Sequence, residues 1–182
     1  VNTIVFEGRD EKGTWRPLGE FSDVPRERRS HGFNTDAEAI ARALREDAGL
    51  ELRGAQVLLL GAGGAGRTAA LKLASERVGE LFLINRTQSK AEAVAKEIRE
   101  RHPGVKVNLG YPERPVDLLL NATSLGLKAD DPLPFDGKQF SLRQAGAVYD
   151  MIYRPAETAL LKAAKAAGCR VANGLGMLLY QG

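Results

Sequence analysis

Near the middle of the chain the run Gly61-Ala62-Gly63-Gly64-Ala65-Gly66 stands between a short β-type stretch, Gln56 to Leu60, and a segment of helical periodicity. In that setting a G-x-G-x-x-G spacing constrains the backbone more than any other feature of the sequence. The first glycine allows a tight turn, the second lets the backbone approach a pyrophosphate, and the third permits close packing of a helix on a strand. The helix that follows begins with N–H groups that lack intrahelical partners and with the positive end of its dipole. A glycine match alone would be only a turn. Strand, spacing and helix agree here, so the run predicts a dinucleotide cradle in which Gly61, Ala62, Gly63, Gly64 and Ala65 face the ligand.

From about Gly54 onward, short apolar runs alternate with segments of helical period, as in βαβ chains with a parallel sheet. Strands are expected at Gln56 to Leu60, Leu81 to Ile84, Val105 to Leu109, Val116 to Leu120, Ala147 to Tyr149 and Cys169 to Ala172. Their continuous apolar character fits strands covered on both faces. Thr87 to Arg101 reads as a helix capped by Thr87, with Ala91, Val94, Ala95 and Ile98 on its buried stripe. A further helix is expected with Pro155 in its first turn, Leu160, Leu161, Ala164 and Ala167 on its buried face, and Gly168 at its end. The fold class is therefore α/β: a Rossmann-type, doubly wound, mainly parallel sheet with helices on both faces. Residues 1 to about 34 differ, with a strand expected at Thr3 to Phe6, a Gly-, Pro- and charge-rich stretch, and then a helix capped by Thr35. The cluster Arg26, Arg28 and Arg29 reads as a solvated loop.

Composition excludes several function classes. A single cysteine, Cys169, and two distant histidines, His31 and His102, argue against a disulfide framework and against a metal site. The net charge of +3 comes from basic residues interleaved with acids, which argues against nucleic acid as partner. No apolar run approaches the roughly 18 residues of a membrane span, so the expectation is a soluble, cytoplasmic chain without a membrane partner.

Cofactor preference should be set at the end of the second strand of the glycine-loop unit, where an NAD site offers a carboxylate to the ribose hydroxyls. This chain has Asn85-Arg86-Thr87, with Lys90 a turn further on. Loss of the carboxylate removes repulsion of a 2′-phosphate, and Arg86 and Lys90 supply cations for it. NADP(H) is the expected cofactor. Asn121, Thr123 and Ser124 follow another apolar strand and belong either to the nicotinamide pocket or to a simple Asn/Ser/Gly turn.

An ordered set of motifs carries a family resemblance: Val1-Asn2-Thr3, Asn34-Thr35-Asp36, the glycine loop, Asn85-Arg86-Thr87, Asn121-Ala122-Thr123-Ser124, Tyr149-Asp150-Met151 with Tyr153 and Pro155, and Asn173-Gly174-Leu175-Gly176-Met177-Leu178 with Gln181. The chain resembles shikimate dehydrogenases from end to end. The resemblance implies reversible NADPH-dependent reduction of 3-dehydroshikimate to shikimate, in a cleft between a substrate domain and the Rossmann domain. It implies that Asp36 supports proton transfer by a lysine, that Asn2, Tyr153 and Gln181 contact substrate, and that Met151 and Gly174 join the glycine loop, Asn85 to Lys90, Asn121, Thr123 and Ser124 in the cofactor wall. Residues 1–49 are then a remnant of the substrate domain with a connecting helix, and 50–182 the NADP-binding domain.

Three departures qualify that implication. The family's lysine lies upstream of Val-Asn-Thr, where this chain starts, so a missing substrate domain and an inactive fragment are expected. The family continues with a helix beyond Gln181. Residues 9 to 30 exceed the short hairpin expected there. Alternatives that remain open are a non-catalytic dinucleotide-binding regulatory module, a quinate dehydrogenase and a glutamyl-tRNA reductase. Pairing into a homodimer through apolar surface near Leu179 and Tyr180 is also open.

Overall fold

The computed structural model describes residues 2–181, so Val1 of the Val-Asn-Thr motif lies outside the described residues. The chain divides into two compact units, one up to Asp36 and one from Ala37 onward.

In the first unit, β1 (Thr3–Arg9) is the centre of a three-stranded antiparallel sheet, with β2 (Trp15–Pro17) on one side and β3 (Arg28–Phe33) on the other. Register is set by pairs such as Phe6 with Ser30 and Gly8 with Arg16. The Arg26 to Arg29 cluster is thus not a loop throughout, because Arg28 and Arg29 belong to β3. The Arg29 guanidinium lies 4.3 Å from the Trp15 ring centroid and donates to Glu7 at 2.7 Å. Cross-strand pairing of these side chains offsets the poor strand propensity of the stretch. Glu7 also faces His31, and its carboxyl is held below the ordinary range chiefly by the Arg29 hydrogen bond.

The second unit carries a six-stranded parallel sheet in the order β6-β5-β4-β7-β8-β9, comprising β4 (Gln56–Leu60), β5 (Glu80–Ile84), β6 (Lys106–Leu109), β7 (Val116–Asn121), β8 (Ala145–Asp150) and β9 (Arg170–Asn173). Each expected strand is present, with ends shifted by a residue or two. The strand order reverses between β4 and β7, the place where open α/β sheets bind ligands beyond their carboxyl ends.

Alternation along β4 explains the double layer. Val57 and Leu59 point into one apolar cluster, and Leu58 and Leu60 into the other. The first cluster is closed by α1 (Thr35–Glu46), α2 (Gly64–Ser75) and α3 (Gln88–Arg101), whose buried stripe includes Ala91, Val94, Ala95 and Ile98. The second is closed by α4 (Ala159–Ala166) with Phe140 and Leu142.

Local ends differ from expectation in three places. Helix α1 includes Thr35; its opening N–H groups are met by the Asn2 side chain at Thr35 and by the Asn34 side chain at Asp36. Thr87 stands at the N-cap of α3 without a side-chain capping bond. Pro155 follows a cis peptide bond in a turn and does not open a helix. Helix α4 instead starts after Thr158, whose hydroxyl accepts the Leu161 N–H at 3.3 Å and is a better cap than a proline turn. Gly168, at φ +87°, ends that segment. The last helix is α5 (Leu175–Tyr180). Among the described residues no helix is long and apolar enough to cross a membrane.

Candidate functional site

The glycine loop leaves β4 at its carboxyl end and turns at Gly61, φ +104°. A Cβ there would stand 2.8 Å from the Ala122 carbonyl oxygen, so the loops after β4 and β7 are pressed together at the reversal of strand order. A Cβ at Gly66 would come within 2.2 Å of the Gly61 carbonyl oxygen; this glycine sets how closely α2 approaches the loop. Gly63 and Gly64 differ: nothing lies within 4 Å of a Cβ at either, and Gly63 has an ordinary φ of −75°. Neither backbone strain nor the chain's own packing requires glycine at Gly63.

That loop is held from the next strand. The Asn85 side-chain oxygen accepts the Ala62 N–H at 2.9 Å, while its amide nitrogen donates to the Thr87 carbonyl at 2.7 Å. One side chain therefore fixes the glycine loop and the start of α3 together. Arg86, Thr87 and Lys90 are exposed beside it, and among the described residues neither cation has an ion-pair partner. The first turn of α2 contains no acidic residue, so its N-terminal dipole end is uncompensated.

Beyond β7 a second network is built on Asn121, which is fully buried. Its side-chain oxygen accepts the Thr123 N–H at 3.0 Å and the Thr123 hydroxyl at 2.7 Å, and its amide nitrogen donates to Asp150 at 2.9 Å. The Leu125 N–H in turn donates to Thr123 Oγ1 at 3.1 Å, leaving Ser124 exposed at the tip. Met151 joins the same edge through its N–H on the Asn121 carbonyl at 3.0 Å. Gly174 lies against Met151, whose carbonyl oxygen a Cβ would strike at 2.0 Å. The cofactor-side residues proposed from sequence thus converge on one sheet edge.

The substrate-side residues are distributed differently. In the first unit, Asn2 donates to Asp36 at 2.8 Å. In the second, Tyr153 is exposed just past Met151, and Gln181 caps the end of α5. Sequence reasoning gave no role to Asp150 or Thr158, although a carboxylate ending the apolar run of β8 is a visible signal. Asp150 is fully buried and accepts from Asn121, from the Ile152 N–H at 3.1 Å and from the Thr158 hydroxyl at 2.6 Å. Burial pushes its carboxyl above the ordinary range against these three donors.

The sequence profile of the shikimate / quinate 5-dehydrogenase family matches residues 42–110, which hold the glycine loop and the Asn85 to Lys90 turn. A shikimate dehydrogenase (NADP(+)) of Methanopyrus kandleri is 40% identical over 159 residues, covering 83% of this chain and 54% of that protein. The chain belongs to the shikimate / quinate 5-dehydrogenase family. It spans about half the length of the curated relatives it matches. Within the family, the structure of the Thermus thermophilus shikimate 5-dehydrogenase in complex with NADP(H) and shikimate is similar at TM-score 0.69 and 38% identity, over 84% of this chain and 55% of that one. A ligand-free 5-ketofructose reductase of Gluconobacter sp. strain CHM43 is similar at TM-score 0.70 and 34% identity, over 82% of this chain and 55% of that one.

Proposed function

We propose that this chain provides the NADP(H)-binding part of a shikimate dehydrogenase that interconverts 3-dehydroshikimate and shikimate. The observation that carries the reading is the pairing of an open glycine at position 63 with two cations, Arg86 and Lys90, that lack ion-pair partners among the described residues, across the Asn85 bridge. The N–H groups opening α2 and its dipole suit a pyrophosphate. The absence of a carboxylate at Asn85, together with the Arg86 guanidinium, suits a 2′-phosphate.

The cofactor supplies a hydride when bound, chemistry that no side chain has. The residues of this chain bind and orient. Asn121 holds the Thr123 loop in one conformation, and Met151 and Gly174 form the adjoining wall. Asp36, steadied by Asn2, is the acid assigned to the substrate hydroxyl and to support of proton transfer. The resemblance gives the proton transfer itself to a lysine upstream of the Val-Asn-Thr motif. These residues are therefore assigned nucleotide binding and orientation.

Amide hydrogen exchange with and without NADPH tests the reading. Slowed exchange in two segments, Gly63 to Arg67 and Arg86 to Lys90, is expected. Unchanged exchange in both at saturating nucleotide, or protection confined to other segments, would overturn it.

A further inference from the structure

Asp150 is a buried ionisable group at the carboxyl edge of the sheet to which the function just proposed gives no task. Its side chain is wholly enclosed, and three donors converge on it from Asn121, Ile152 and Thr158. The direction of two of these bonds is fixed independently. The Asn121 oxygen is taken by the Thr123 N–H, which turns the amide nitrogen toward Asp150. Thr158 Oγ1 accepts the Leu161 N–H and donates its own proton to Asp150 Oδ2. A backbone N–H can only donate. Asn121 and Ile152 therefore require an acceptor, and the ionised carboxylate serves all three donors.

Among the described residues no lysine, arginine or histidine pairs with that carboxylate. Hydrogen bonds disperse a buried charge without cancelling it, and an ionised group in an interior ordinarily has a cation beside it. Asp150 is joined through Asn121 to the Thr123 loop and is followed at once by Met151, so it underlies the wall where a ligand at this switch point would lie.

We infer that the missing countercharge is the oxidised nicotinamide ring, and that Asp150 biases the site toward NADP+ over NADPH through its field. The inference rests on the NADP(H) reading above. Asp150 does not touch the reacting atoms; it sets the charge of the wall behind them. The two nucleotide forms share every phosphate and ribose contact, so the ratio of their affinities isolates the charge on the ring. A change in fit alone would move both affinities together.

The test is titration of the purified chain with NADP+ and with NADPH, in wild type, Asp150→Asn, Asp150→Ser and Thr158→Val, each checked for a cooperative melt. Removing the carboxylate is expected to weaken NADP+ relative to NADPH by about three- to ten-fold, the range for one partly screened charge. Thr158→Val keeps the carboxylate but removes one donor that favours its ionised form, so its ratio is expected to match wild type or to move in the same direction as Asp150→Asn by a smaller factor. An unchanged ratio in a folded Asp150 variant overturns the inference while leaving nucleotide binding intact. A Thr158→Val ratio that moves toward NADP+ overturns it as well, and that arm stands even if both Asp150 variants fail to fold. Wild type that binds neither form removes the cofactor reading and the inference with it.

Discussion

Gly63 and Gly66 look alike in a motif, but the structure separates their roles. Gly66→Ala drives a Cβ into the backbone of Gly61, which cannot swing aside as a side chain can. A loss of about 1–3 kcal/mol is expected, read as a fall in melting temperature. Gly63→Ala meets nothing in the chain, so stability is expected to hold within about 1 kcal/mol. NADPH affinity in that variant should nevertheless fall at least about ten-fold, because a methyl group of about that cost stands where the pyrophosphate must approach. Calorimetry paired with titration checks both variants, and equal effects on stability would contradict the distinction. Asp150 offers a second test at this scale. Burial raises its native pKa above the ordinary 3.8, so the folded chain holds that proton more tightly than the unfolded chain does. Its contribution to stability is full below the unfolded value and is lost as pH rises through the raised native one. The stability of wild type relative to Asp150→Asn should therefore decline from acid toward neutral pH; other carboxylates cancel in the difference. A flat or rising difference would contradict the burial account.

At the level of elements, the parallel sheet was legible because strands covered on both faces must be continuously apolar, and Val57 to Leu60 or Leu118 to Leu120 allow nothing else. The helix over α3 was equally plain from its stripe. Strands β2 and β3 were not legible. Their charged and glycine-rich composition carries no period, and the ion pairs and Arg29–Trp15 contact that hold them connect residues distant in sequence. Helix α4 was placed too early because the proline rule competes with a Thr158 cap that only the fold reveals. Within the site, the glycine loop and Asn85 to Lys90 could be read from spacing, whereas the link from Asn121 to Asp150 joins β7 to β8 and has no local signature. That link holds both loops, so Asn121→Ala should cost about 2–4 kcal/mol by leaving Asp150 and the Thr123 N–H short of partners. Thermal denaturation measures it, and a loss below about 1 kcal/mol would mean that water replaces the amide without difficulty.

For the whole molecule, the net charge of +3 identified no partner, whereas the order of motifs along the chain identified a family. The chain matches about half the length of its curated relatives, and its residues from Ala37 onward form one of the two units. Nucleotide binding is the central claim of the account, and titration with NADPH and NADH side by side, in wild type and Arg86→Ala, tests it most directly. The account predicts that wild type prefers NADPH and that Arg86→Ala loses about ten- to one hundred-fold for NADPH, the worth of a charge-assisted contact to phosphate, with NADH almost unchanged. Equal affinity for the two nucleotides in wild type, or equal losses for both in Arg86→Ala, would contradict it.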